Sequence, residues 1–174
     1  MQKRASAVTF KGKPLTCIGP QLKVGETAPD FACVTGGLEI VGLGKTPSKA
    51  RMFSVVPSLD TPVCSEQTKK FEQALANLGD KVACYTVSLD LPFAQKRFCT
   101  AENLSNMKTL SDTHNHSFGQ NYGVLIEGLP LPLLARAVFV VDAGGKITHA
   151  EYVKEVASHP NYESAIAALK AAAG

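Results

Sequence analysis

The chain has 174 residues, 18 Lys and Arg against 15 Asp and Glu, a net charge of +3, 45% hydrophobic residues and a mean hydropathy of +0.03. That composition suits one globular domain over residues 1–174 and argues against disorder or a fibre. The basic residues are scattered, the longest cluster being Lys69-Lys70, and no apolar run nears the ~20 residues a bilayer requires, so neither nucleic acid nor membrane is the expected partner.

In chain order, "AVTF" and "LTCIG" flank "KGKP", which predicts a β-hairpin over about 7–18 that turns at Lys11-Gly12. A loop follows through "KVGETAPDF", and "LEIVGL" reads as a short strand. "RMFSVV" is apolar after Arg51 and rich in valine, as in a strand buried on both faces, and Pro57 ends it. From Ser65, the spacing of Phe71, Ala74, Leu75 and Leu78 predicts an amphipathic helix stopped by Gly79. "KVACYTVSL" is another buried strand, a short helix follows Pro92, and "MKTLSD" ends in strand. "SFGQNYGV" is a helix or a turn. "ARAVFVVD" is the strongest strand of the C-terminal half, with "GGKITHAEYV" as its hairpin partner through Gly144-Gly145, and "YESAIAALKAAAG" closes the chain as a helix. This alternation predicts an α/β fold with a central mixed sheet flanked by helices and an N-terminal β-hairpin.

There are five cysteines, an odd number, no recognisable export signal and no C-x-x-C. The pattern suits a reducing, cytoplasmic setting and excludes a compact zinc knuckle. "GLGKT" lacks the first glycine of a phosphate-binding loop, because Glu39 stands there, and "HNH" at His114–His116 has no further metal ligands nearby.

The stretch "PSLDTPVC", Pro57 to Cys64, carries the chemistry. A free thiol is only ~3% ionised at neutral pH, and the thiolate is the nucleophile. Cys64 stands at a helix N-terminus, where unpaired backbone N–H groups and the helix dipole favour negative charge. Thr61 is within hydrogen-bonding reach of the sulfur, Pro57 and Pro62 restrict the loop, and Asp60 is expected to turn away and cap the helix. Taken alone, Cys64 reads more readily as a small buried hydrophobe, and the neighbouring residues reverse that preference. Arg136 opens a wholly apolar strand, a position that is costly for a charge without an anionic partner; Arg51 opens another and is the reserve candidate.

"PSLDTPVC" is similar to the P-x-x-x-T-x-x-C motif of the peroxiredoxins, in the form typical of their thiol peroxidase subfamily. "CSEQTKKF", "SLDLPFAQKRFC", "YGV" and "LARAVFVVD" follow in the subfamily's order, so the resemblance covers about residues 21–170. It implies a thioredoxin-like fold and a peroxidase of hydrogen peroxide and organic hydroperoxides that uses no metal, haem or flavin. Cys64 would be the peroxidatic cysteine, Thr61 and Arg136 the donors around it, and Pro57 its shield. Cys99, ending "LPFAQKRFC", would be the resolving cysteine that closes an intrachain disulfide, with thioredoxin as reductant and a homodimer as the assembly. The interval between the two cysteines is one residue longer than in the subfamily, which puts the register of the strand "ACYTVSLD" in question. Cys17, Cys33 and Cys84 match no catalytic role. The chemistry also leaves a peroxide sensor open, with the same cysteine passing its oxidation to a partner.

Overall fold

In the computed structural model, which describes residues 1–174, strands β1 (Lys3–Phe10) and β2 (Lys13–Ile18) form the N-terminal hairpin. The hairpin begins at Lys3, earlier than the apolar run alone predicts, because the segment "KRAS" continues the ladder past an irregularity between Arg4 and Val8. Lys11 and Gly12 both take positive φ, 51° and 80°, the geometry that matches a two-residue turn to the twist of its strands.

The large sheet has seven strands. β5 (Ala50–Val55) pairs in parallel with β6 (Val82–Ser88), which pairs in parallel with β7 (Met107–Ser111). On its other edge β5 runs antiparallel to β10 (Ala137–Val141), itself antiparallel to β11 (Ile147–Tyr152). The short pair β3 (Cys33–Val34) and β4 (Ile40–Val41) extends the far edge beyond β7. The register of β6 against β5 and β7 is continuous, so that strand carries no bulge. A second, four-stranded sheet joins β1 and β2 to β8 (Leu125–Glu127) and β9 (Leu133–Leu134).

Alternation along β5 and β10 sends side chains to two cores. Met52, Val138 and Val140 pack with Phe71 and Leu75 of α1 (Pro62–Leu75) and with Ala165 and Leu169 of α4 (Tyr162–Ala173). Phe53, Val55, Phe139 and Val141 face the other way, onto Phe118 and Tyr122, whose rings stack 4.1 Å apart across α3 (Ser117–Asn121). With both faces covered, every residue of β5 and β10 is buried, which explains the wholly apolar sequence of β10 and a β5 whose polar residues are only Arg51 and Ser54. Gly19 is required where the hairpin meets the segment after α3, since a Cβ there would lie 1.9 Å from the Gln120 carbonyl oxygen.

α1 starts at Pro62 rather than Ser65, and its last residue is Leu75, leaving Leu78 in the following turn and Gly79 at the start of a short 3-10 helix. Proline at the first helical position has its φ already set and loses no hydrogen bond there. α2 (Pro92–Ala101) uses the same device and packs on β7. No helix is long and apolar enough to cross a membrane.

Candidate active site

β5 ends at the C-terminal edge of the parallel strands, and the chain turns through Pro57–Thr61 into α1. The turn is closed by Thr61 N donating to the Ser58 carbonyl over 3.2 Å and by Ser65 N donating to the Thr61 carbonyl over 3.0 Å. Cys64 is the third residue of α1 and 0% exposed, packed with Val56, Leu59 and Phe98. Pro57 is also buried.

Arg136 immediately precedes β10 and is 2% exposed. Three nitrogens of its guanidinium are each engaged: Nε donates to the Val156 carbonyl over 2.9 Å, Nη1 to Gln67 Oε1 over 2.9 Å, and Nη2 to Cys64 Sγ over 3.3 Å. Of the five cysteine sulfurs, Cys64 alone meets a guanidinium. Burial raises the thiols of Cys17 and Cys33 above the ordinary range and pushes Cys84 up to about 12.

Arg51 is equally buried but lies elsewhere. β5 and β10 run antiparallel, with Arg51 opposite Val141 and Val55 opposite Ala137, so residues that open the two strands sit at opposite ends of the pair. Arg51 also shares the face of Phe53, away from α1. Its Nη1 donates to Thr46 Oγ1 over 3.1 Å and its Nη2 to the Asp142 carbonyl over 2.7 Å. The reserve candidate is thus removed from Cys64.

Two expectations at the loop are corrected. Thr61 is the N-cap residue of α1, and its hydroxyl donates to the Ser58 carbonyl over 3.0 Å rather than bonding the sulfur. A hydroxyl has one proton, and the tight turn at Ser58 claims it. Asp60 caps nothing: it is exposed, and no side chain caps the helix.

Two groups beside the site are polar residues that pattern alone left unassigned. Gln67 lies one turn after Cys64 on the buried stripe Cys64, Gln67, Thr68, Phe71 and Leu75; it donates from Nε2 to Ser54 Oγ over 2.7 Å while accepting from Arg136. The readable signal was an amide on the inward face of an amphipathic helix. Asp90, just after β6, accepts from Ser58 Oγ at 2.7 Å, from Leu59 N at 2.8 Å and from Ser88 Oγ at 2.7 Å. It thereby ties the loop before Cys64 to the loop before α2.

Cys99 is half-buried near the end of α2, and its thiol is free, as are the other four. Its neighbour Phe98, not Cys99 itself, packs against the Cys64 cluster; Cys99 lines a cavity on the side of β7. Successive helical residues point about 100° apart, so the two cannot face the same place. Burial raises the Cys99 thiol, the charge of Glu72 adds to this, and a hydrogen bond with Thr109 opposes it. Glu72 on α1 accepts from the backbone N–H groups of Ser105, Asn106 and Met107, which secures the segment after α2 to the helix that carries Cys64.

A protein-family model described as Redoxin matches residues 23–166. The chain belongs to the redoxin family. Within it, the thiol peroxidase of Halalkalibacterium halodurans is 52% identical over 167 residues, covering 96% of this chain and 99% of the relative. That of Bacillus subtilis is 50% identical over 164 residues, covering 94% and 96%. Among solved structures, a peroxiredoxin-like protein from Aquifex aeolicus superposes with a TM-score of 0.88 at 42% identity, over 96% of this chain and 97% of that one. A thiol peroxidase from Chromobacterium violaceum has the same fold, with a TM-score of 0.84 at 19% identity and coverage of 94% and 95%. The fold is thus the thioredoxin-like fold of the redoxins, and the chain is a peroxidase of the thiol-dependent kind.

Proposed function

We propose that this chain reduces hydrogen peroxide and organic hydroperoxides at Cys64, resolves the product with Cys99 and is recycled by thioredoxin. The observation that carries this reading is the Arg136 contact with the Cys64 sulfur at the start of α1, at 3.3 Å. A guanidinium fixed there by Gln67 and Val156 favours the thiolate and supplies a donor to the developing alkoxide without reorganisation. The thiolate attacks the terminal peroxide oxygen, the O–O bond breaks, and the alkoxide leaves as alcohol or water after taking a proton. The sulfur becomes a sulfenic acid. Thr61 Oγ1, whose proton is held by Ser58, keeps its lone pairs to accept from the peroxide hydroxyl. Pro57 keeps water from the sulfur.

Cys99 then attacks the sulfenic acid, water leaves, and a disulfide forms. A disulfide needs Cα atoms within about 7 Å and side chains turned toward each other. With Phe98 in the Cys64 cluster and Cys99 on the cavity side, α2 must locally unwind to present the thiol. Leu59, Val63, Phe93 and Leu131 are the apolar groups available to an alkyl substituent. Phe93 at 66% exposure, with Leu91 at 58% and Leu131 at 56%, also supplies an apolar surface for a homodimer that includes the start of α2. A cycle that needs Cys99 reduced suits a cytoplasmic setting.

Replacement tests the assignment. Cys64→Ser abolishes turnover. Cys99→Ser retains one reduction of peroxide per chain but loses thioredoxin-linked cycling; full cycling in that variant contradicts the resolving role.

A further inference from the structure

Beside β7 lies a cavity of about 530 Å³, within the range of small-molecule sites, that takes no part in the peroxide step. Tyr85 of β6 stands in its wall. The ring stacks on Phe53 and the residue is only 7% exposed, yet its hydroxyl has no hydrogen-bond partner. The hydroxyls of Tyr122, Tyr152 and Tyr162 each have one. A phenol so deeply buried ordinarily finds a partner, and this one is left to donate to whatever enters the cavity. Lys45, Lys96 and Lys108 share the wall, and the chain's three ion pairs lie elsewhere, at Lys3–Glu127, Lys69–Glu102 and His159–Glu66. No carboxylate lines the cavity: Glu72, which acts on the Cys99 thiol, commits its oxygens to the backbone N–H groups of Ser105, Asn106 and Met107. Behind the wall Arg51, 4% exposed, donates to Thr46 of the lining and keeps its Nε without a partner. Four cations around one concavity focus a positive potential into it, while Met107 and Leu110 offer apolar surface.

We propose that this cavity binds a small dicarboxylate with an apolar spacer, and that the bound anion slows disulfide formation by holding α2 folded. The binding site stands on the cavity's own groups; the slowing rests on the reading of Cys99 as the resolving cysteine. The Tyr85 hydroxyl and the ammonium groups donate to the carboxylates, and the spacer lies against Met107 and Leu110. α2 supplies two parts of the wall, Lys96 and Cys99. Both leave when α2 unwinds to carry Cys99 toward Cys64, so the anion has its full set of partners only while α2 is folded. A ligand that prefers one state shifts the equilibrium toward it by its difference in affinity. At nine times its Kd, the anion leaves about one-tenth of the molecules free to unwind, and the disulfide forms about tenfold more slowly. The peroxide step is untouched, because Cys64, Gln67 and Arg136 lie outside the lining. The waiting sulfenate then takes an oxygen from a second peroxide, whose other oxygen leaves as water or alcohol, and becomes a sulfinate.

Adipate and adipamide share a skeleton, one as a dianion and one neutral, and calorimetric titration of the reduced full-length protein with each, at constant ionic strength, judges the site. Adipate is expected to bind saturably and adipamide not to. Tyr85→Phe keeps the ring on Phe53 and deletes only the hydroxyl; it is expected to weaken adipate about tenfold, and the double variant Lys96→Gln, Lys108→Gln by a similar factor. No adipate binding, equal binding of adipamide, or an affinity indifferent to both sets of replacements overturns the site. Rapid alkylation at intervals after one equivalent of peroxide, followed by mass analysis, then separates thiol, sulfenic acid and Cys64–Cys99 disulfide. With adipate at nine times its measured Kd, the thiol is expected to disappear at its ordinary rate while the disulfide appears about tenfold more slowly. In Tyr85→Phe the same adipate concentration slows it only about twofold. Bound adipate with an unchanged disulfide rate overturns the coupling to α2. A protein that forms no Cys64–Cys99 disulfide even without adipate removes that coupling together with the resolving role of Cys99, while the titrations still decide the site.

Discussion

Gln67 Oε1 accepts from Arg136 Nη1 over 2.9 Å, and the same amide donates to Ser54 Oγ over 2.7 Å, so a residue of α1 and a residue of β5 together aim the guanidinium at the Cys64 sulfur. All three groups are buried, and in that setting direction matters as much as charge. The site is therefore a small polar network enclosed between the helix that bears the nucleophile and the sheet beneath it.

Replacing Arg136 by Ala removes a charged donor from the sulfur. Such bonds contribute about 1.5–3 kcal/mol, so the second-order reaction of the thiolate with peroxide is expected to slow by roughly 10- to 100-fold. Arg136→Lys restores the charge but not the three-pronged geometry, and only part of the rate returns. Stopped-flow measurement of a single turnover checks both variants; a wild-type rate in Arg136→Ala contradicts the role.

Gln67→Leu leaves Arg136 Nη1 and Ser54 Oγ without a partner in a dry site. The expected cost is about 1–3 kcal/mol of stability, read from urea unfolding, together with a slower peroxide step because the guanidinium is no longer held on the sulfur. A loss of stability with an unaltered peroxide rate would make Gln67 a core group with no positioning role.

Glu72 predicts a pH dependence. Burial by itself would raise its carboxyl, but the backbone N–H groups of Asn106, Ser105 and Met107 outweigh it and hold the group below its ordinary 4.5. A depressed folded value means the carboxylate contributes stability above pH 4.5 and loses it as the pH falls below that, toward the folded value. The stability gap between wild type and Glu72→Gln is expected to be full at neutral pH and to shrink in acid. A gap that stays constant across that window contradicts the assignment.

What could be read beforehand follows local physics. Strands buried on both faces announced themselves as apolar runs, and Arg136 stood out as a charge opening one of them. β4 falls inside the predicted strand "LEIVGL", but the two-residue strands β3 and β9 were not legible, because they are too short to show a period and are defined by their pairing. The choice of Arg136 over Arg51 needed the antiparallel pairing of β5 with β10, which places the two strand starts at opposite ends. Asp90 lay within a quoted motif without a role, since its partners Ser58 and Leu59 come from a neighbouring strand's loop. The side on which Cys99 emerges could not be read from its spacing to Cys64, which carries no facing information.

The most direct test of the central claim is intact mass followed by peptide mapping of the reduced protein after one equivalent of peroxide. The account predicts a loss of two hydrogens, mapped to a Cys64–Cys99 bond. A gain of oxygen confined to Cys64 would contradict the resolving step, and no reaction at Cys64 would contradict the whole account.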